Sequence, residues 1–548
     1  MMKYKLIAIV FLAAVCTAFT IAPKIYDVCV YGETVAGAGA AIQAARMGKK
    51  VVLISQTKHI GGTTASGLTA TDLNRFAVVG GVAREFYQNI YAYYQKPQSW
   101  KNQNRDSFFV ASRKRTYTGK NDSLKMQWVY ESKVAEKILT EMLEKAGVKI
   151  VYNQKIDEKL TAIKTGTTLR SIQMENGTKY SAKVFIDASY EGDLLAKAGV
   201  SFATGREANS QYKETLNGIR LNGVVGKGDV SIDPYITPAV PSSGVLPFID
   251  AKLWGKEGEA DQRFQAFTYR VTLTNDPKNR VAIKKPENYN PLWHELLVRR
   301  LSLAPETKLQ SIITLTPMPN RKTDTNHLDF FGASFDYTGA DYKTREQIAK
   351  QHEDYAIGML WLLGNDERIP LHIRTEMKDW GWPKDEFKDN KNFPFQLYVR
   401  EARRLVGDVV MTENNVVKAN RQEAKNAIGM GSYALDCHMV SRVVGADGKV
   451  YDEGSIFAAT TPYPIGYQSI LPKKMECTNL LVPVCLSASH VAFSTIRMEP
   501  VYFVLGQSAG TAAALAIDQQ TTLQDLPYAT LQKQLLADKQ ILTLSKPN

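Results

Sequence analysis

Cysteine is scarce in this chain of 548 residues: there are five, and no two of them form a C-x-x-C pair. Without such a pair the sequence offers neither a typical zinc site nor iron–sulfur ligands, so no metal is expected. Cys29 and Cys485 lie in apolar, strand-like runs and are expected to be buried thiols. A disulfide between Cys437 and Cys477 stays open, because pairing cannot be deduced from sequence.

Long hydrophobic runs are also missing beyond the N-terminus. There, Lys3 and Lys5 precede an apolar run over 6–15 and then small residues, which predicts a signal peptide over residues 1–22. This run is too short for a transmembrane span, so we expect an exported protein, periplasmic or secreted, with no stable membrane span in the mature chain. A lipid anchor through Cys16 is less favoured, because Val15 stands where a lipoprotein signal has a small residue.

The charge lacks any long basic block. Lysine and arginine exceed the acidic residues by 13, yet no basic run is longer than the three residues at 113–115. This distribution indicates a solvated basic surface rather than nucleic-acid binding, and an anionic substrate stays open. The chain also has no internal repeat and no low-complexity tract, and its 44% hydrophobic content suffices for a large core.

The clearest pattern lies at residues 26–62. An apolar strand at 27–31 is followed by the motif GETVAG at 32–37, a helix of small residues to 45 and a second buried strand at 51–54. This is the βαβ unit that holds a dinucleotide pyrophosphate at a helix N-terminus. Thr34 replaces the second glycine of G-x-G-x-x-G, so a plain βαβ unit is the alternative interpretation.

Two later stretches continue this pattern. Short runs at 158–164, 169–175 and 178–184, joined by turns with T-G and N-G, predict a β-meander that ends in FIDASYEGD at 185–193. A further buried strand at 479–487 leads to a small-residue helix over 501–517, with Pro500 in its first turn. A parallel strand, a meander and an acidic turn are the layout of flavin-binding two-dinucleotide folds.

The chain contains the motifs G-x-T-x-A-G, H-I-G-G, S-G-L, D-A-S-Y-E-G-D and S-A-S-H…R-M-E-P…L-G-Q-S-A-G. Together they resemble one group of FAD-dependent oxidoreductases. The group shares its flavin domain with fumarate-reductase-like enzymes and with the flavin portion of heterodisulfide reductases. The resemblance covers nearly the whole mature chain, including Y-V-R-E-A-R-R at 398–404. Some relatives carry the label xanthan lyase, which nothing in these motifs supports.

The resemblance implies an α/β fold, with a Rossmann-like FAD-binding domain of the two-dinucleotide-binding type, a β-meander and an inserted α+β cap domain. We expect the first part of the FAD-binding domain at 23–200, a substrate or cap domain at 201–415 and the second part at 416–548. The boundaries follow from nucleotide-fold motifs that stop near residue 193 and resume near 479.

The resemblance also implies FAD as the cofactor and assigns its contacts by position. These residues are Gly32, Thr34, Val35, Ala36 and Gly37 for the pyrophosphate; Gly61, Gly62, Ser66 and Gly67 for the ribityl chain and ring; Ile156 for adenine; Asp187, Ala188 and Ser189 for the central phosphates; and Met498 and Glu499 at the start of the last long helix. Ser55 stands where such flavoproteins usually have Glu or Asp for the adenosine ribose. Ser55 or Gln56 would therefore make that contact with a neutral group.

For catalysis the positions predict His490 as base and Arg497 as the cation that stabilises negative charge on the flavin. The alternatives are a structural role for His490 and a simple ion pair between Arg497 and Glu499. Further candidates on the cap side are His327, His438, Tyr463 and Tyr467. A covalent flavin link through His59 is disfavoured, although covalent attachment as such stays open.

The sequence therefore predicts an exported FAD-dependent dehydrogenase. It would pass hydride from a small alcohol, sugar or carboxylate to flavin N5, and then electrons to an unidentified acceptor. The alternative is a carbohydrate lyase or glycan-binding protein without flavin chemistry. That alternative leaves two separate nucleotide-fold motifs, in the correct order, without an explanation.

Overall fold

The computed structural model describes residues 24–101, 103–113, 119–227, 230–417 and 421–544. The predicted signal peptide, with Cys16, therefore lies outside the described residues. The same holds for Lys114 and Arg115 of the basic run.

A seven-stranded sheet forms the centre of the fold. Its strands are β1 (Lys24–Tyr31), β2 (Val51–Ile54), β3 (Lys149–Val151), β4 (Ile163–Thr165), β5 (Thr168–Gln173), β6 (Lys179–Asp187) and β7 (Leu480–Leu481). The order is β3-β2-β1-β6-β5-β4, and β7 also pairs with β6. Strands β3, β2, β1, β6 and β7 are parallel to one another, whereas β4, β5 and β6 form the antiparallel meander.

This sheet confirms the predicted βαβ unit and meander. It also brings the C-terminal strand into the same sheet as β1, although only two residues of the predicted run at 479–487 pair as a strand. Strand β4 begins at Ile163, five residues later than the pattern indicated. The exposed or half-buried side chains of β4 explain the weak signal, because a short edge strand carries little hydrophobic periodicity.

Five helices are used below: α1 (Val35–Arg46), α2 (Gly81–Gln95), α3 (Ser132–Lys145), α4 (Tyr342–Asn365) and α5 (Glu499–Asp518). Helices α1 and α5 pack side by side through small residues. A Cβ on Gly506 would meet the backbone of Ala36, and one on Gly510 would meet that of Ala40. Because this pairing advances in the same direction along both helices, α1 and α5 run parallel.

Helix α5 is long and apolar enough to cross a membrane by length and composition, but 89% of that segment is buried inside the protein. Helix α5 is therefore the central helix of the hydrophobic core. Its burial follows from the sequence, since Ala, Gly and aliphatic residues occupy every face of the helix.

Residues 201–415 contribute a three-stranded sheet (Val271–Thr274, Thr314–Met318 and Lys322–Asn326) and helix α4. Side chains from these elements, such as Val271 and Leu363, belong to the same hydrophobic core as the central sheet. The division at 201 and 415 stays a prediction.

The remaining elements are short. The other helices are Arg105–Arg113, Asp193–Lys197, Asn209–Tyr212, Glu295–Leu303, Leu371–Met377, Glu413–Val416, His490–Ile496 and Tyr528–Ala537. A four-stranded sheet contains Leu221–Val224, Ile249–Asp250, Ser441–Val444 and Val450–Glu453. The two-stranded pairs are Lys120–Asn121 with Met126–Gln127, Phe202–Ala203 with Arg404–Leu405, Gly226–Lys227 with Val230–Ser231, Arg280–Val281 with Trp382–Pro383, Ala427–Gly431 with Tyr463–Gly466, and Leu435–Cys437 with Ile456–Ala458.

The four described cysteines, Cys29, Cys437, Cys477 and Cys485, are all buried and free. The expected burial of Cys29 and Cys485 is thereby confirmed. No disulfide joins Cys437 to Cys477, whose thiols contact His490 and Asn479 respectively.

Candidate functional site

The GETVAG turn joins β1 to α1 in a space that admits no side chain at either glycine. Gly32 has φ +113°, and a Cβ there would lie 2.4 Å from the Ala188 carbonyl carbon. A Cβ on Gly37 would lie 2.0 Å from the Gly32 carbonyl oxygen. Both glycines are therefore required for β1, α1 and the end of β6 to approach one another.

Thr34 shows how this turn manages without its second glycine. Its hydroxyl caps α1 by accepting a hydrogen bond from the Gly37 N–H (3.3 Å), and donates to the Ala188 carbonyl (2.8 Å). The side chain thus points into the protein and leaves the helix end open. Among the described residues, none accepts a hydrogen bond from the N–H groups of Val35 and Ala36 in the first turn.

A cavity with about 230 Å³ of space for water lies beside this turn; we call it the turn cavity. Its lining residues are Glu33, Thr34, Gln56, Thr57, Lys155, Ser189, Tyr190, Glu191, Tyr269, Tyr337, Tyr342, Arg345, Glu346, Ala349, Phe395, Gln396 and Leu397. Thr34, Gln56 and Ser189 are the sequence-predicted residues among them. Parallel strands end at this edge of the sheet, which is where such folds bind nucleotides.

Ser55 and Ile156, two other predicted contacts, do not line the turn cavity. The Ser55 hydroxyl donates to the carbonyls of Thr57 (2.8 Å) and His59 (3.0 Å), so it closes the loop after β2. Ile156 is buried and donates its N–H to the Tyr31 hydroxyl (3.3 Å). The side chain that reaches the cavity at this point is that of the preceding Lys155.

Asp187 shapes the turn that follows β6. Its carboxylate accepts hydrogen bonds from the N–H (3.0 Å) and hydroxyl (2.7 Å) of Ser189 and from the Leu195 N–H (2.7 Å). Burial raises the pKa of Asp187 to about 6, although these hydrogen bonds oppose the shift. The carboxylate therefore positions Ser189, which lines the turn cavity, and the Ala188 backbone, which packs on Gly32.

The loop over 61–67 depends on glycine for close packing. Gly61, Gly62 and Gly67 all have positive φ, and side chains at 62 and 67 would overlap Tyr190 and the Arg270 backbone. Ser66 accepts a hydrogen bond from the Gln396 N–H (3.0 Å). The predicted ribityl-side residues therefore lie against Tyr190 and Gln396, which line the turn cavity.

Glu499, at the start of α5, holds this loop in place. Its carboxylate accepts hydrogen bonds from the hydroxyls of Thr63 (2.7 Å), Thr64 (2.8 Å) and Tyr190 (2.8 Å). The buried residue Met498 occupies the position before the helix without a capping hydrogen bond from its side chain, and Pro500 lies in the first turn as predicted. No ion pair forms between Glu499 and Arg497, so that alternative does not account for the arginine.

A second cavity, with about 240 Å³ of space for water, is the polar cavity. It is lined by Ala70, Asp72, Arg270, Thr314, Thr316, Asn326, Tyr398, Tyr433, Asp436, His438 and Arg497. The two cavities share their walls, because Tyr269 and Leu397 line the turn cavity while the next residues, Arg270 and Tyr398, line the polar cavity. The two cavities therefore lie next to each other in the fold.

Arg497 supplies a fixed cation to the polar cavity. Its guanidinium donates to the Tyr398 hydroxyl (2.6 Å) and to the Asp436 carbonyl (2.6 Å). Burial opposes its charge, but Tyr398 and Asp436 raise the pKa of Arg497 above its usual value. Its Nε is buried without a hydrogen-bond partner among the described residues, which leaves one donor unused.

His438 is the histidine that lines the polar cavity. Its Nδ1 lies 2.9 Å from Asp329 Oδ2, and its Nε2 lies 3.6 Å from Asp436 Oδ2. Burial disfavours the ionised form of Asp329, but Arg400 and His438 hold the pKa of Asp329 below its usual range. Each ring nitrogen of His438 therefore faces a carboxylate, Asp329 at Nδ1 and Asp436 at the cavity-side Nε2.

His490, the predicted base, does not line either cavity. It is wholly buried, with Nδ1 2.8 Å from Glu401 and Nε2 3.2 Å from the Cys437 sulfur. Burial alone would lower its pKa, but Glu401 and then Cys437 raise the pKa of His490 to about 10. The pairing with Glu401 favours the structural alternative for His490, and its role as general base stays a prediction.

The other candidates occupy separate positions. Tyr463 and Tyr467 are buried, with their hydroxyls bonded to Thr495 and the Leu523 carbonyl. His327 lines a further cavity beside the polar one and lies 3.0 Å from the Thr314 hydroxyl. His59 stacks on Phe395, which lines the turn cavity.

In the part of the chain that the structure describes, one group of carboxylates has the spacing of a metal site: Glu131, Asp385 and Glu386. The ammonium of Lys322 lies among them, at 2.6, 2.8 and 2.6 Å from their oxygens. The lysine therefore supplies the positive charge that these carboxylates require, and we assign the group a structural role.

Sequence reasoning missed several residues of the polar cavity. Asp72 lies shortly after the motif S-G-L and Tyr398 begins Y-V-R-E-A-R-R, but these motifs alone give neither residue a role. Arg270 and Asp436 carry no signal in the sequence. Arg270 donates to Asp324 (2.8 Å), and Asp72 lies 3.4 Å away, so two carboxylates hold its guanidinium at the cavity.

Comparison with known proteins identifies one family. The sequence profile described as FAD dependent oxidoreductase matches residues 27–535, which is most of the chain. No curated protein sequence matches.

Solved structures resemble the chain only in part. An L-proline dehydrogenase from P. horikoshii is 13% identical over 34% of this chain and 59% of its own, with a TM-score of 0.23. An L-amino acid deaminase from Proteus vulgaris is 15% identical, covering 34% of this chain and 52% of its own, with a TM-score of 0.24. A geranylgeranyl bacteriochlorophyll reductase-like protein from Thermoplasma acidophilum is 20% identical over 32% and 43%, with a TM-score of 0.21. The matched part is less than two thirds of each of these chains, and scores this low carry no argument about the present one.

Proposed function

The chain belongs to the FAD-dependent oxidoreductase family, and we propose that it is a dehydrogenase for a small alcohol, sugar or carboxylate. FAD is the cofactor and supplies N5 as the hydride acceptor. Electrons would then pass to an acceptor that is still to be identified. Family membership disfavours the alternative of a lyase or glycan-binding protein without flavin chemistry.

The residues at the turn cavity fit a dinucleotide. Gly32 and Gly37 allow the turn to pack tightly against β1 and the end of β6, and the free N–H groups of Val35 and Ala36 suit an anionic pyrophosphate. Gln56 and Ser189 add polar contacts at the cavity wall. The shared walls of the two cavities support an arrangement in which the adenosine half occupies the turn cavity and the ring end approaches the polar cavity.

Within the polar cavity we assign the base to His438. Nε2 of His438 would take the proton from the substrate hydroxyl as the hydride leaves the carbon, and Asp329 would stabilise the imidazolium that forms. Arg497 and Arg270 would bind and orient the oxygen atoms of the substrate. The observation that carries this proposal is that His438, held by Asp329, lines one cavity together with Arg270 and Arg497 beside the dinucleotide fold.

The test uses the purified flavin-loaded protein and a panel of polyols, aldoses and 2-hydroxy acids. Loss of the visible flavin absorbance without oxygen reports reduction. His438→Ala should slow reduction by the active substrate roughly a hundredfold or more, because a positioned general base contributes about 10² to 10⁴ in rate. FAD content should stay unchanged.

His372→Ala is the matched control, since His372 is exposed and bonds only the Thr307 carbonyl. It should reduce at the wild-type rate. A panel in which no compound reduces the flavin would contradict the proposed substrate classes. Reduction of His438→Ala at the wild-type rate would instead contradict the base assignment alone.

We also propose export and an inserted cap. The N-terminal pattern of residues 1–22 supports a cleaved signal, and N-terminal sequencing of the protein from the cell envelope or medium would test it. Because that signal lacks twin arginines, FAD would be acquired after export. Residues 201–415 would form the cap, since their segments around Arg270 and Tyr398 provide the walls between the cavities.

A further inference from the structure

Glu33, the second residue of the GETVAG motif, has no role in the pattern that identified the βαβ unit. In the structure its side chain is 6% exposed and lines the turn cavity. Its Oε2 accepts a hydrogen bond from the Gln56 N–H at 3.1 Å. Gln56 lies two residues beyond the end of β2, so the carboxylate extends from the end of β1 to the end of β2.

The end of β2 lacks the acidic group that the family resemblance leads us to expect. Ser55 occupies that position, and its hydroxyl is already bonded to two carbonyls of its own loop. It is also wholly buried, so it presents no surface to the turn cavity. The chain therefore has a carboxylate at this place, but it comes from residue 33 rather than residue 55.

No lysine, arginine or histidine forms an ion pair with Glu33 among the described residues, although Lys155 and Arg345 line the same cavity. Lys155 is paired with Glu346 (2.7 Å) and Arg345 with Asp193 (2.9 Å). Burial raises the pKa of Glu33, although hydrogen bonds from the Gln56 N–H, its own N–H and the Thr57 hydroxyl oppose the shift. Because no cation is paired with this buried carboxylate among the described residues, further donors from a ligand would stabilise it.

We propose that Glu33 binds the adenosine ribose of FAD, accepting hydrogen bonds from its 2′- and 3′-hydroxyls in place of the usual acid at the end of β2. This inference rests on FAD as the cofactor. A carboxylate offers several acceptor positions, so Glu33 can bind Gln56 and the ribose together. The vicinal hydroxyls of a ribose match these acceptors, and hydrogen bonds to an ionised group are the stronger kind.

The test measures binding to the full-length chain after removal of its flavin. The probes are FAD and two FAD analogues that lack either the 2′- or the 3′-hydroxyl of the adenosine ribose. Dissociation constants come from quenching of flavin fluorescence. The wild type should bind at least one analogue roughly tenfold to a hundredfold more weakly than FAD, as expected for a lost hydrogen bond to a charged acceptor.

Glu33→Gln keeps the shape of the side chain and an acceptor for the Gln56 N–H, but removes the charge. It should bind FAD roughly tenfold to a hundredfold more weakly and discriminate little between FAD and the analogues. Glu33→Asp, which keeps the charge one methylene further away, should fall in between. Glu85→Gln is the control: it removes a carboxylate that pairs with Arg46 outside both cavities, and it should keep full discrimination.

Three results would overturn the inference. The wild type could bind both analogues as tightly as FAD, or Glu33→Gln could bind FAD as tightly as the wild type. Glu33→Gln could also bind FAD weakly yet discriminate as well as the wild type, which would mean that Glu33 acts only by holding the Gln56 loop. A wild-type chain that binds no FAD at all would contradict the cofactor instead, so the two failures are distinguishable.

Discussion

Replacing Gly37 by alanine should force α1 away from β1 and weaken both the fold and flavin binding. The new Cβ would lie 2.0 Å from the Gly32 carbonyl oxygen, whereas real Cβ atoms keep at least 3.0 Å from such neighbours. A shift of about 1 Å is therefore needed. The Gly32 backbone cannot easily provide it, because its N–H is bonded to the Ile54 carbonyl at 3.0 Å.

The cost follows from this overlap. Overpacking of a tight site costs about 1–3 kcal/mol, and we expect the upper part of that range because the neighbour is backbone. The same shift would draw the Val35 and Ala36 N–H groups away from the pyrophosphate. Loss of one hydrogen bond to a charged group, about 1.5–3 kcal/mol, weakens FAD binding roughly tenfold to a hundredfold.

Urea unfolding of the flavin-free protein and fluorescence titration with FAD measure the two effects separately. Gly364→Ala is the matched control, because Gly364 lies in α4 and its added Cβ would be 3.6 Å from the nearest atom, in Met377. That variant should be stabilised by about 0.5–1 kcal/mol and bind FAD normally. A Gly37→Ala protein with wild-type stability and FAD affinity would refute the reasoning.

Two further predictions concern the C-terminal segment. Arg497→Ala should retain FAD yet slow flavin reduction by roughly a hundredfold in anaerobic stopped-flow experiments, since it removes a buried cation from the polar cavity; an unchanged rate would exclude Arg497 from the chemistry. His490→Gln should destabilise the protein by about 1.5–3 kcal/mol, because it removes the charged hydrogen bond to Glu401, whose other oxygen keeps its ion pair with Arg404. The wild type should exceed His490→Gln in unfolding free energy by the full amount below about pH 6.5, and the difference should shrink as pH rises towards 10. The reason is that the pKa of His490 in the folded state is raised to about 10. Urea unfolding of both proteins across that pH range would show it, and an advantage that grows with pH would contradict the ion pair.

Local patterns in the sequence are enough to predict the secondary structure of the nucleotide-binding half. The strand, glycine turn, helix and second strand of residues 26–54 are close together in the chain, so hydrophobic periodicity and turn chemistry determine them. Gly32 has a positive φ, and a Cβ on either Gly32 or Gly37 would overlap neighbouring backbone. The glycine spacing in the sequence is therefore enough to predict where these two residues lie. FAD as cofactor follows from these motifs together with the family resemblance.

The catalytic assignment cannot be derived in the same way. His490 lies beside the expected helix start, but its orientation is determined by Glu401, a residue 89 positions earlier in the chain. His438 is one of several candidates in the sequence, and only the fold brings it next to Asp329 and the polar cavity. Contacts between distant segments leave no periodicity in a single sequence, so motif position alone does not separate the two histidines.

Glu499 shows why the motif at residues 26–62 does not place the site by itself. This buried carboxylate binds two hydroxyls from the loop after β2 and a third from the turn after β6. Because burial raises its pKa and only these hydroxyls compensate, the loop and the start of α5 stabilise each other. The position of the loop over 61–67 therefore depends on a helix more than 430 residues later, and the site requires both ends of the chain.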